Sequence, residues 1–214
     1  MTTTVLILAS IWQVLNWSSD YVPADALGQG TDIATLQFPT NIGYTPFVAF
    51  LVTTNPVGSL VGKKLTFTFA IETQDDPTFV FGGHDNWNWG PRPPGCTFII
   101  SSQTGYGKAQ YDACPACFWF YDAVWCSIGE GEFSVTLSMN GNFWSNAGTS
   151  DGGESITQSN TFRQVIENPA QVGIAFGGGD FFDVGVALMN IGGSATFHLT
   201  SFEVVTPLRI NDDE

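Results

Sequence analysis

Basic side chains are scarce in this sequence. Six Lys and Arg residues stand against twenty Asp and Glu residues, which gives a formal net charge of −14 at pH 7. Proteins that bind nucleic acid or anionic membranes need clustered cations, and a field this negative repels a polyanion. The composition therefore argues against both partners and favours neutral glycans or other proteins. Acidic surfaces also keep proteins in solution, so the charge alone identifies no specific partner.

The sequence also has almost no runs of Ala, Leu, Glu and Lys, the residues that build helices. Charged residues make up 12% of the chain and apolar residues 43%, which is too hydrophobic for disorder. Its 24 Gly, 11 Pro and 18 Phe residues favour strands and turns. A chain of 214 residues has the size of one large β domain. We therefore expect a single all-β domain over residues 1–214.

No hydrophobic run is long enough to span a bilayer. The apolar stretch Met1–Leu15 falls short of the roughly 20 residues that a spanning helix needs. It also lacks the basic start and small-residue cleavage site of a secretory signal. We expect an ordered first strand here, no membrane insertion, and an extracellular or virion-surface location reached without a classical signal peptide, as for bacteriophage proteins released on lysis.

Strand patterns cover most of the chain. Apolar and polar residues alternate over Lys64–Thr73 and Glu132–Met139, which is typical of half-buried strands. Phe47–Val52 is continuously apolar and should be buried on both faces. Ala195–Val205 alternates and then switches phase, which predicts a β-bulge near Thr200–Ser201. About ten strands with turn signals every 8–12 residues predict a two-sheet antiparallel sandwich, most simply a jelly roll.

Turn and helix signals complete the pattern. Asn140-Gly141 is a hairpin-type dipeptide, and the polar stretch Trp144–Gly153 is expected to be a loop. The best helix candidate is Ser159–Asn168, with Asn160 as N-cap and Pro169 as the stop.

The C-terminal segment Val172–Val205, VGIAFGGGDFFDVGVALMNIGGSATFHLTSFEVV, resembles the final strands of jelly-roll carbohydrate-binding modules and other galactose-binding-like domains. The start of the chain, an aromatic-rich strand followed by a loop and then Leu36–Pro39, LQFP, also resembles these domains. The resemblance implies glycan binding through exposed aromatic residues and a structural Ca²⁺. The chain departs from the family by an insertion, Phe79–Cys126, so the family's binding residues are not carried over.

The insertion contains every cysteine of the chain: Cys96, Cys114, Cys117 and Cys126. Their spacing, C-x17-C-x2-C-x8-C, is compatible with two disulfides that clamp a long loop, and it leaves three connectivities open. Four convergent thiolates are compatible with a structural Zn²⁺ site, and free thiols are a third possibility. The Cys-Pro-Ala-Cys pair also fits a redox dithiol, although the βαβ context of such motifs is missing. No cofactor is otherwise required.

One loop in the insertion is the best binding candidate. Its residues are His84, Asp85, Asn86, Trp87, Asn88 and Trp89. Tryptophan rings stack on the C–H faces of sugars, and the neighbouring polar groups can take hydrogen bonds from hydroxyl groups. Two other uses of the tryptophans remain open: they could plug one end of the sandwich, or they could form a protein interface.

Catalytic patterns are weak. His84 and His198 lie far apart in the sequence, and Gly177–Gly179 lacks the Lys-Ser/Thr of a phosphate loop. A glycosidase pair of Asp122 with Glu130 or Glu132 is the one alternative that the acidic residues allow. We therefore predict a non-catalytic glycan-binding module. The alternative is a structural or decoration protein of a virion or cell surface, associated as a homo-oligomer or with a particle.

Overall fold

The computed structural model describes residues 4–6, 12–15, 33–40, 47–81, 93–104, 114–146, 156–179, 185–189 and 192–207. Within these ranges strands predominate and a single α-helix is present. The predicted all-β class is confirmed.

The first sheet is built from five strands. They are β1 (Thr4–Leu6), β3 (Ala34–Gln37), β5 (Lys64–Gln74), β10 (Gly131–Ser138) and β14 (Ser194–Val205). Their order is β1-β14-β5-β10, and β3 pairs with β14 beside β1. All of these pairs are antiparallel.

The second sheet is built from seven strands. They are β2 (Trp12–Leu15), β4 (Phe50–Thr53), β7 (Gly95–Ser101), β8 (Phe118–Tyr121), β9 (Cys126–Ser127), β11 (Trp144–Asn146) and β12 (Gln171–Gly177). Their order is β11-β8-β7-β12-β4-β2, with β9 beside β7. These pairs are antiparallel as well.

The remaining described elements are smaller. Strands β6 (Phe79–Phe81) and β13 (Val186–Leu188) form a two-stranded antiparallel sheet. The helix α1 spans Ile156–Glu167, and 3₁₀ turns occupy Pro115–Cys117 and Gly141–Phe143.

The two large sheets pack face to face. The ring of Phe67 on β5 lies 4.8 Å from the ring of Phe98 on β7, measured between centroids. Phe176 on β12 meets Phe197 on β14 edge to face at 5.5 Å. All four side chains are fully buried. Because each contact joins a strand of one sheet to a strand of the other, the main core lies between the sheets, and the predicted antiparallel sandwich is confirmed.

The long strands follow the predicted side-chain alternation. On β5, Leu65, Phe67 and Phe69 are buried, while the threonines between them are partly exposed. On β14 the register with β5 shifts between Leu199 and Ser201. This shift is the predicted β-bulge, and it allows Leu199 and Phe202, which differ in phase, to be buried in the same core.

Strand β4 is buried on both faces, as its continuous apolar run predicted. Leu51 points into the main core, whereas Phe50 and Val52 join a second cluster with Ile99 and Phe120. All four residues of β4 are buried. The central strands of this sheet therefore carry apolar side chains on both sides, unlike the strands of the first sheet.

The hairpin predicted at Asn140-Gly141 does not form, and the loop predicted over Trp144–Gly153 is wrong for Trp144–Asn146, while residues 147–153 lie outside the described residues. Asn140 accepts a hydrogen bond from the Asn142 N–H at 3.1 Å and so starts the 3₁₀ turn instead of a hairpin. Trp144 lies in a strand, β11, and is 2% exposed. Its indole N–H donates to the Ser138 carbonyl at 2.8 Å. Burial of this indole draws the chain from β10 into the second sheet, so no hairpin forms.

The helix begins earlier than predicted. It starts at Ile156, so Asn160 lies inside it and is not its N-cap. An interior Asn costs only about 0.7 kcal/mol relative to Ala, which is less than packing of the apolar face provides. That face consists of Phe162, Val165 and Ile166, which are spaced as on one side of a helix and are all buried.

Candidate functional site

The six residues of the predicted binding loop, His84 to Trp89, lie outside the described residues. The structure does describe both ends of that loop. The chain enters it from β6, which ends at Phe81, and returns through Pro93 to β7, which starts at Gly95. The contacts made by these two ends show how the loop is attached to the rest of the domain.

At the entry, the ring of Phe81 packs against Gly178. A Cβ atom built on Gly178 would lie 2.5 Å from Cγ and 2.9 Å from Cε1 of that ring. Phe81 is also held by the strand pair with Val186 on β13. A glycine is therefore needed at position 178 for the aromatic ring to approach the backbone.

At the return, the indole of Trp125 packs against Gly95. A Cβ atom built on Gly95 would lie 2.6 Å from Cε2 and from Nε1 of Trp125. Trp125 is half-buried. The second end of the loop is thus fixed in the same way as the first, by an aromatic ring packed on a glycine.

The two contacts lie at the same end of the second sheet. Gly95 is the direct partner of Gly177 in the antiparallel pair of β7 with β12. Gly178, which carries the Phe81 contact, is the next residue after Gly177. The role of Gly178 in receiving the Phe81 ring was not predicted from the sequence. The signal that could have found it is a glycine cluster directly after a buried strand in a chain rich in aromatic residues.

The cysteines form two separate pairs. Cys114 and Cys117 are joined in a disulfide with an S–S length of 2.06 Å. Because their sequence separation is 3, this bond closes a tight turn and does not clamp a long loop. The Cys117 N–H donates to the Cys114 carbonyl within the same turn. The disulfide therefore stiffens the entry to β8.

Cys96 and Cys126 are free thiols on neighbouring strands. A hydrogen bond between the thiols raises the pKa of Cys96, and burial raises it further. The same hydrogen bond lowers the pKa of Cys126. Among the described residues, no three His, Cys, Asp or Glu side chains come together as a metal-binding group. The tetrathiolate arrangement that Zn²⁺ would need does not fit cysteines arranged in two pairs.

Asp122 follows β8 in the second sheet, whereas Glu132 and His198 lie on either side of Ala70 in the first sheet. Asp122, Glu130 and Glu132 are exposed, and Glu130 accepts a hydrogen bond from the Thr73 hydroxyl at 3.0 Å. His198 lies on β14 with its side chain 21% exposed, and its Nε2 is 3.7 Å from a carboxylate oxygen of Glu72. His198 is therefore a partly solvated residue on the outer face of the first sheet.

Comparison with known protein families, curated proteins and solved structures finds no match to this chain. Within the described ranges, no helix combines the length and apolar character needed to cross a bilayer.

Proposed function

We propose that this protein is a non-catalytic binding module of jelly-roll type that recognises a glycan through the loop carrying Trp87 and Trp89. The observation that carries the proposal is the double anchoring of that loop, by Phe81 on Gly178 and by Trp125 on Gly95. A loop fixed at both ends has less conformational freedom to lose when a ligand binds. Sugar recognition through tryptophan faces benefits from that fixation because the rings must be held in place.

The strand pairing supports the jelly-roll part of the proposal. Eight strands, taken in chain order, are β3, β4, β5, β7, β8, β10, β12 and β14. The first pairs with the eighth, the second with the seventh, the third with the sixth and the fourth with the fifth. This nested pairing is what a long eight-stranded hairpin gives when it is rolled into two sheets. Jelly rolls include lectin domains, so the topology is compatible with glycan binding, by analogy only.

Affinity electrophoresis through gels that contain soluble glycans, with candidates chosen from a glycan array, tests the proposal. We expect the wild-type protein to be retarded and both Trp87→Ala and Trp89→Ala to lose at least about tenfold in affinity, because each removes a stacking ring. Phe143→Ala is the matched control, since Phe143 is an aromatic residue 40% exposed outside the loop. Equal retention of all four proteins would overturn the glycan proposal.

The same strand pairing motivates a second candidate, because viral capsid domains are also jelly rolls. In this case the protein is a structural or decoration component of a virion or cell surface, and its tryptophan loop contacts another protein. The Cys114–Cys117 disulfide supports an extracellular or virion-surface location, since such bonds persist in oxidising surroundings. Analytical ultracentrifugation distinguishes the candidates. A homo-oligomer that dissociates on Trp87→Ala favours the structural role, and a monomer that binds no particle counts against it.

A further inference from the structure

The strongest unexplained feature outside the loop is the free cysteine pair. Cys96 on β7 and Cys126 on β9 are direct partners in an antiparallel strand pair. Side chains at such positions point to the same face, with Cβ atoms about 4.5–5.5 Å apart. A disulfide needs Cβ atoms about 3.5–4.5 Å apart. The two sulfur atoms already share a hydrogen bond, so closing the bond requires a small movement of two side chains and no change of strand register.

The two thiols differ in accessibility. Cys96 is completely buried in the main core, whereas Cys126 is 8% exposed. Cys126 follows Trp125, whose ring covers Gly95, the residue before Cys96. Both residues are buried, but Cys126 is the less buried of the two, so a reagent that enters from solvent reaches Cys126 before Cys96.

The acid–base properties of the pair match this difference. The Cys96 thiol hydrogen-bonds to Cys126, which lowers the pKa of Cys126 and favours its thiolate. The thiolate is the form that attacks disulfides. Cys96 keeps its proton because the same hydrogen bond and its burial both raise its pKa. The thiol of the less buried residue is thus also the more nucleophilic one.

We propose that Cys96 and Cys126 are a reversible dithiol–disulfide pair, which a small disulfide oxidant such as oxidised glutathione closes into a second intrachain bond. The Cys126 thiolate attacks one sulfur of oxidised glutathione, whose S–S bond breaks: a mixed disulfide of Cys126 with one glutathione forms, and the other glutathione leaves as its thiolate, which takes up a proton. Cys96 then gives up its proton and attacks the Cys126 sulfur, which releases the second glutathione. The two protein thiols lose two electrons and two protons, and oxidised glutathione is reduced to two glutathione molecules.

The bond would join the start of β7 to β9 and enclose the whole segment 96–126. Unlike the Cys114–Cys117 disulfide, it would close a long loop, for which the reduction of chain entropy in the unfolded state is larger. It would also lie beside Gly95, where the tryptophan loop returns to the sheet. Oxidation would therefore fix this end of the loop covalently, whether or not the loop binds a glycan.

The test uses the native chain with its Cys114–Cys117 disulfide intact. The protein is incubated with mixtures of oxidised and reduced glutathione, quenched by alkylation, and measured by intact mass and peptide mapping. We expect the two alkylatable thiols to disappear together, the protein to lose two hydrogen atoms, and a Cys96–Cys126 peptide to appear. The melting temperature should rise by roughly 5–10 °C, and reduced glutathione should reverse both changes.

A variant with only one free thiol distinguishes the proposed bond from simple thiol reactivity. In Cys96→Ala the second step is impossible, so Cys126 should gain the mass of one glutathione and keep it, with no rise in melting temperature. The proposal is overturned if both thiols of the wild type stay alkylatable in excess oxidised glutathione. It is equally overturned if the mixed disulfide persists in the wild type, or if the bond formed involves Cys114 or Cys117.

Discussion

The indole of Trp125 occupies the space in which a side chain at Gly95 would lie. A Cβ atom at position 95 would come within 2.6 Å of two ring atoms of Trp125 and within 2.7 Å of the Cys126 carbonyl oxygen. Since Gly95 also starts β7 and faces Gly177 across the sheet, the contact couples the return of the tryptophan loop to the strand pair beneath it. The absence of a side chain at position 95 is therefore a structural requirement.

The first prediction concerns that requirement. Gly95→Ala must displace the Trp125 ring and also strains the contact with a backbone oxygen, so we expect a loss of about 1–3 kcal/mol in the free energy of unfolding. Urea denaturation followed by tryptophan fluorescence measures it. Gly129→Ala is the matched control, because a Cβ there meets nothing within 4 Å. A Gly95→Ala protein as stable as Gly129→Ala would contradict the contact.

A second glycine tests the fit between two strands of the sheet itself. A Cβ built on Gly173 would lie 2.8 Å from Cα of Val52 and closer still to the Leu51 carbonyl oxygen. Both are backbone atoms of β4, so no rotation of a side chain can relieve the clash. We expect Gly173→Ala to cost about 3 kcal/mol or more and to speed amide hydrogen exchange along β4 and β12. Exchange rates unchanged from wild type would show that the strands do not approach this closely.

These contacts mark the boundary of what the sequence can predict. The alternation of Leu65, Phe67 and Phe69 is visible in the sequence because successive side chains of a strand point to opposite faces. The bulge before Phe202 is visible for the same reason, as a change of phase. Periodicity carries no information about which aromatic residue covers which glycine, so the Trp125–Gly95 contact could not be predicted.

The pairing of the cysteines and the type of turn at Asn140-Gly141 could not be predicted from the sequence either, for a related reason. The spacing of the four cysteines allows three connectivities, and only the register of β7 with β9 places Cys96 opposite Cys126. Asn140-Gly141 satisfies both a hairpin and a cap, and the burial of Trp144 in the other sheet decides between them. In each case packing between residues distant in sequence determines the outcome. Local sequence pattern does not report such packing.

The third prediction concerns a buried polar contact between β4 and β12. The hydroxyl of Thr53 accepts a hydrogen bond from the Val172 N–H at 3.2 Å, and Thr53 is fully buried. Thr53→Val keeps the side-chain volume but leaves that N–H without its acceptor, so we expect a loss of about 1–3 kcal/mol in unfolding free energy.

Thr66→Val is the control, because the Thr66 hydroxyl pairs with Thr136 on the exposed face of the first sheet. It should change stability by less than about 0.5 kcal/mol. Equal effects of the two substitutions would argue against the buried bond.

The fourth prediction concerns how α1 is held against the sandwich. Phe162 is 2% exposed, and its ring lies 5.0 Å from the ring of Trp119 and 5.5 Å from that of Trp144. These tryptophans belong to β8 and β11, so one helical residue contacts two neighbouring strands. Phe162→Ala should lower the free energy of unfolding by about 3–5 kcal/mol and shift the tryptophan emission to the red.

The next residue provides the control. The Arg163 side chain is 69% exposed and pairs with Glu167 on the helix surface, so Arg163→Ala should lower the free energy of unfolding by less than about 0.5 kcal/mol. If Phe162→Ala unfolded at the same urea concentration as Arg163→Ala, α1 would contribute little to the stability of the domain. If instead its emission shifted while the midpoint stayed constant, the helix would detach as a separate unit from a sandwich that remains folded.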